Sequence, residues 1–168
     1  MDEKIARNVQ LYAQRYNARV GGALGSGNHG NVFVVESKAK RMRYAVKFCK
    51  DPAPCDREVR AYELLAERKV IDIAGFSVPQ FLGSDDELLA IEMTIVEAPF
   101  LLDFGGAYEE FSLPDFPDNV WAEWRQQREE EFGANWPVVE EILSVLSSYG
   151  VHMIDVHPRN IFFRESIG

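Results

Sequence analysis

Apolar residues recur along this chain with two periods, and each change of period marks an element. Between residues 2 and 18, Ile5, Val9, Tyr12 and Tyr16 fall at helical spacing, which predicts an amphipathic N-terminal helix. Near Val20 the pattern turns to glycine and then to β-branched runs. Asn31–Glu36 (NVFVVE) and Arg43–Cys49 (RYAVKFC) read as strands separated by a basic turn, Ser37–Arg41. Asp51-Pro52-Ala53-Pro54 ends the second strand. A helix is expected from about Cys55 to Lys69, with Val59, Tyr62, Leu65 and Ala66 on one face. Val78–Leu82 and Leu88–Val96 read as two further strands around a Gly83–Glu87 turn. Pro99–Asp118, rich in aromatics, Gly and Pro, reads as an irregular connection. Helices follow at Val120–Phe132 and Pro137–Tyr149, the second with Pro in its first turn and Gly150 at its stop. Val151–Phe163 reads as a loop running into a short apolar strand. The order predicts an α+β architecture: an antiparallel sheet with one helix, then a helical part.

Composition narrows the class. At 168 residues with 46% hydrophobic content, the chain is long enough for one core that holds without disulfides. Its two cysteines, Cys49 and Cys55, form neither a CxxC pair nor a secreted framework, so a cytoplasmic location is expected. No apolar run approaches the roughly 20 residues of a membrane helix, and the first residues lack a signal-peptide core, so no membrane partner is expected. The net charge of −9 is unevenly spread. Residues 1–84 carry 14 Lys+Arg against 9 Asp+Glu, whereas residues 85–141 carry 2 against 16. Such an acidic chain is a poor nucleic-acid binder, because phosphate neutralisation needs clustered cations.

Candidate chemistry lies in three places. Gly25-Ser26-Gly27-Asn28-His29-Gly30-Asn31-Val32 reads G-x-G-x-x-G-x-V, and a strand follows it where a dinucleotide fold would need a helix. Glycines between two antiparallel strands let backbone amides approach phosphates; a plain hairpin turn fits the glycines alone equally well. Lys47, in Tyr44-Ala45-Val46-Lys47, points a cation from an apolar strand and needs a carboxylate partner, for which Glu58 is favoured over Glu63. The third place is His152–Phe163, where Asp155 and Asn160 stand five apart.

These motifs, in this order, resemble the protein-kinase-like fold. Gly25, Gly27, Gly30 and Val32, then Ala45 and Lys47, then Glu58 match its small lobe, and the D-x-x-x-x-N of Asp155–Asn160 matches its catalytic loop. His157-Pro158 inside that loop is similar to the small-molecule, aminoglycoside-phosphotransferase-like branch. The resemblance implies ATP and Mg²⁺ as nucleotide and cofactor. Gly25, Ser26, Gly27, Gly30 and Val32 would cover the phosphates, and Lys47 with Glu58 would position them beside Ala45. Glu92, Met93 and Thr94 would meet the adenine, with Met93 or Thr94 giving the backbone amide. Asp155 would act as base with His157 beside it, and Asn160 would ligate the metal. In those terms residues 1–19 form an N-terminal helix, 20–92 a small lobe, and 93–168 a hinge with a partial large lobe.

One part of the family pattern is out of place. The Asp-Phe-Gly expected after the loop is absent from the eight residues beyond Asn160, where Glu165 is the only acid. Asp103-Phe104-Gly105 spells the tripeptide before the loop, and chain order assigns it no part beyond an approach to a ribose. The expectation is therefore a kinase-like module truncated after its catalytic loop, transferring a γ-phosphoryl group to a hydroxyl. The alternative is a noncatalytic, pseudokinase-like nucleotide-binding or protein-interaction module. Either way, a homodimer or a protein partner is expected to cover the incomplete lobe.

Overall fold

The computed structural model describes residues 2–39, 41–109 and 112–164. Helix α1 (Glu3–Arg15) starts at Asp2, whose carboxylate accepts from Lys4 N at 2.8 Å, and places an acid in its first turn and a base in its last. Its buried residues, Ile5, Asn8 and Tyr12, recur at helical spacing and dock on one face of a sheet.

That sheet is antiparallel throughout and has the order β1 (Ala18–Ser26), β2 (Gly30–Ser37), β3 (Met42–Cys49), β7 (Ala90–Met93), β6 (Phe81–Asp85). Strand β3 lies at its centre and is buried on both faces, which explains its unbroken apolar run. Alternation sends Tyr44, Val46 and Phe48 into the cluster beneath α1, and Ala45 and Cys49 into the larger core on the other face. Lys47 falls on that second face. There the sheet meets α2 (Pro52–Glu67), which buries Cys55, Glu58, Ala61, Tyr62 and Leu65. The helix begins three residues earlier than its apolar period suggests, because Pro52 and Pro54 fit a first turn whose N–H groups have no helical partner.

Outside this sheet the chain is more ordered than its composition implies. Short strands β4 (Asp72–Ile73), β5 (Phe76–Ser77), β8 (Phe100–Leu101) and β11 (Ile161–Phe162) join as β11-β8-β5-β4, and β9 (Ala107–Tyr108) pairs with β10 (His152–Met153). Helices α3 (Asp118–Phe132) and α4 (Trp136–Ser148) pack alongside, with Trp136, Val139, Ile142 and Leu146 in the core. The predicted irregular connection therefore contains two strands and a 3-10 turn, Phe104–Gly106. Their pairing decides where the site forms. Strands β8 and β9 flank Asp103–Gly106, while β10 and β11 flank Asp155–Asn160. Antiparallel pairing of β8 with β11 and of β9 with β10 lays the two loops side by side. Among the described residues, no helix is long and apolar enough to cross a membrane.

Candidate active site

A cavity of about 100 Å³ lies between the β1–β2 turn, β3, α2 and these two loops. Gly25, Ser26, Gly27, Gly30 and Val32 line it from above, Lys47 and Glu58 from behind, and Met93 from the side. His157 and Arg159 of the last loop border it as well. Glycine is required at one of these contacts and favoured at another. A Cβ on Gly30 would collide with the Phe48 carbonyl, and one on Gly27 would come within 3.1 Å of Asp103 Oδ2.

Lys47 is the centre of charge. Its Nζ lies 2.5 Å from Glu58 Oε2 and 2.6 Å from Asp103 Oδ1. Burial acts strongly against the ammonium, yet attraction to Glu58 and Asp103 outweighs it and holds Lys47 above its ordinary range. The two acids respond differently. Burial is the largest influence on both, but the Asp103 side chain keeps 17% exposure and Lys47 draws its carboxyl below the usual range. Glu58 keeps 0%, and desolvation holds it above that range despite the same cation. Glu58 Oε1 is buried with no hydrogen-bond partner, an orphaned acceptor of the kind that native interiors rarely keep without a use.

Asp103 is the residue that sequence order hid. Its backbone sits at φ 62°, a left-handed conformation that a non-glycine residue adopts at a cost. The next two residues explain the tripeptide: Phe104 is fully buried with its ring edge on Tyr62 at 5.1 Å, and the Gly105 carbonyl accepts from Arg57 Nε at 3.0 Å. Gly106 then runs against the last loop, where an added Cβ would collide with that of Asp155. The spatial neighbour of the Asp155 loop is thus a segment placed before it in the chain. Only the strand pairing could have revealed this, and two-residue strands leave no period to read.

Asp155 is held from both sides. Ile154 N donates to Gly106 O at 3.3 Å. On the far side α3 reaches over the loop, with Trp124 Nε1 donating to Ile154 O at 2.9 Å and Arg128 Nη1 to Val156 O at 2.7 Å. Asn160 is 1% exposed and fastens the loop: its amide donates to Asp155 O and its Oδ1 accepts from His157 N at 2.9 Å.

Other expected site residues lie elsewhere. Ala45 is buried beside the cavity without lining it. Glu92 faces the opposite side of the sheet, where Tyr12 Oη donates to its carboxylate, so its side chain is removed from any cavity ligand. The Thr94 amide is already bonded to Gln80 O at 3.0 Å, which corrects the expectation that it is free for an adenine. Glu165 lies outside the described residues.

Among the described residues no group of three or more His, Cys, Asp or Glu is arranged to hold a metal ion. Asp103 and the remaining lone pair of Asn160 Oδ1 are nonetheless oxygen donors of the kind Mg²⁺ takes when phosphates and water complete its shell. No family model, curated protein or solved structure matches the chain.

Proposed function

We propose that the chain is a kinase-like, ATP-binding phosphotransferase that moves a γ-phosphoryl group to a hydroxyl acceptor. The observation that carries this reading is the trio Lys47–Glu58–Asp103 under a glycine-rich flap, with Asp155 on the adjoining loop. The acid that the resemblance expects after the catalytic loop is supplied by Asp103 from before it, because β8 and β11 pair.

The roles follow from position. Flap amides cover the phosphates, and Lys47, held by Glu58, faces their charge. Asp103 and Asn160 would hold Mg²⁺, which screens the triphosphate when bound. Asp155 accepts the proton of the acceptor hydroxyl, and α3 steadies it through the carbonyls on either side. The cavity, about 100 Å³, is smaller than the roughly 300–1,000 Å³ of ordinary ligand sites. That small volume is what favours the second reading, a noncatalytic nucleotide-binding or protein-interaction module.

Titration of Mg-ATP against the wild type and Lys47→Ala, with turnover followed in parallel, separates the two. Binding lost in Lys47→Ala and turnover lost in Asp155→Ala support the enzyme. Binding without turnover supports the module. A wild type that binds no nucleotide sinks both.

A further inference from the structure

The assignments above leave the flap's own histidine unused. His29 stands at the tip of the β1–β2 turn, with Nε2 3.3 Å from Asp155 Oδ2. Its ring lies over Gly105, where an added Cβ would come within 3.0 Å of two ring carbons. The contact is built from both flanks. Gly105 is tied to α2 through Arg57, and Lys50 fixes the flap behind the ring. Lys50 Nζ donates to Gly27 O at 3.1 Å and Asn28 O at 3.0 Å, and Lys50 N donates to His29 O at 3.0 Å. Three successive flap carbonyls are thereby engaged, and the imidazole is delivered between Asp103 and Asp155. A phosphoryl group travelling from a nucleotide above Lys47 to a hydroxyl on Asp155 has to cross that point.

Resting on the phosphotransfer reading, we propose that His29 is a further catalytic residue whose Nε2–H donates to an oxygen of the γ-phosphoryl group in transit. In that step the bond from γ-phosphorus to the β–γ bridging oxygen breaks, and a bond from the acceptor oxygen to phosphorus forms. The acceptor's proton passes to Asp155, and the leaving oxygen departs with ADP. His29 keeps its proton throughout. Asp155 Oδ2 accepts the imidazole N–H in this structure; phosphoryl oxygens bound between the two groups would take over that bond. A donor fixed at this point counts most as charge spreads over those oxygens.

Calorimetry with ATP and with ADP, each with Mg²⁺, on wild type, His29→Ala and His29→Gln tests this, alongside turnover. The ADP affinity should stay unchanged, because ADP lacks the γ-group. His29→Ala should lose about tenfold or more of the wild-type preference for ATP over ADP. Its turnover should fall by about 10²–10³. His29→Gln, which retains an N–H donor, should recover part of both. An unchanged ATP-to-ADP ratio in His29→Ala overturns the inference, as does a rise in turnover, which would make His29 a latch. Both results leave the phosphotransfer reading standing. A wild type that binds neither nucleotide removes that reading, and His29's part with it.

Discussion

Glu58 and Glu92 are buried carboxyl groups on opposite faces of the same five-stranded sheet. Glu58 shares Lys47 with Asp103, keeps one oxygen without a partner, and borders a cavity. Glu92 accepts from Tyr12 Oη, which lies 3.0 Å from Tyr44 Oη, in a cluster filled by Ile5, Val35, Val46 and Phe48. Burial and the Glu92 hydrogen bond hold the Tyr12 phenol well above its ordinary range, so it stays a donor at any physiological pH. The second cluster fastens α1 with neutral hydroxyls and closes over itself. The first concentrates three charges at the edge of open space and leaves part of their hydrogen-bonding capacity unused. An acid buried against neutral hydroxyls and one buried among charges beside a cavity thus differ in the partners provided.

The comparison can be broken by substitution. Lys47→Ala should have the largest effect, leaving Glu58 and Asp103 without their cation and costing about 3–5 kcal/mol in a denaturant titration. Nucleotide binding should vanish in the same variant. Gly106→Ala should come next, since its Cβ pushes Asp155 aside. Displacing a reacting group by about 1 Å costs on the order of 10²-fold in rate, so turnover should drop by about that factor while nucleotide affinity stays level. Tyr12→Phe, on the other face, should cost about 1–3 kcal/mol and leave nucleotide affinity untouched.

The smallest effect concerns the surface clasp of α1. Arg15 pairs with Asp85 and Glu87 at 2.7 Å each, and Tyr16 Oη donates to Asp85. Partial burial opposes the Asp85 charge, but the Tyr16, Leu88 and Arg15 contacts outweigh it and hold the carboxyl below its usual range. A carboxyl lowered on folding stabilises the fold above its ordinary value, about 3.9, and that contribution is lost as pH falls through the folded value. Protection of α1 amides against exchange, relative to the intrinsic rate, should therefore fall below about pH 4, before that of β3 does; equal onset in both would contradict the clasp.

Much of the first face was legible in sequence. The run Tyr44–Cys49 is apolar at every position except Lys47, whose cation calls for a carboxylate, and Glu58 was legible only as that partner; the helix buries it with Tyr62 and Leu65 and leaves Ala66, expected on the same face, exposed. The flap glycines were legible as a turn between strands. Asp103 was not, because its place depends on two-residue strands pairing across some sixty positions of chain, and neither strand is long enough to show alternation. Order along the chain suggested a site lacking its last acid; order in space puts an acid there. Glu92 was named for its position in a hinge whose backbone would meet an adenine; alternation turns its side chain towards α1, where Tyr12 Oη donates to it. Nothing local in the sequence marks Trp124 and Arg128, because the carbonyls they reach lie about thirty positions further along the chain.

The proposed phosphate site is Lys47 completed by Asp103. Its most direct test is the Mg²⁺ dependence of ATP affinity, measured by calorimetry for wild type and Asp103→Asn. Wild type should bind ATP more tightly as Mg²⁺ is raised, and Asp103→Asn should lose most of that gain while still folding. An Asp103→Asn protein that keeps the full Mg²⁺ dependence would contradict the account.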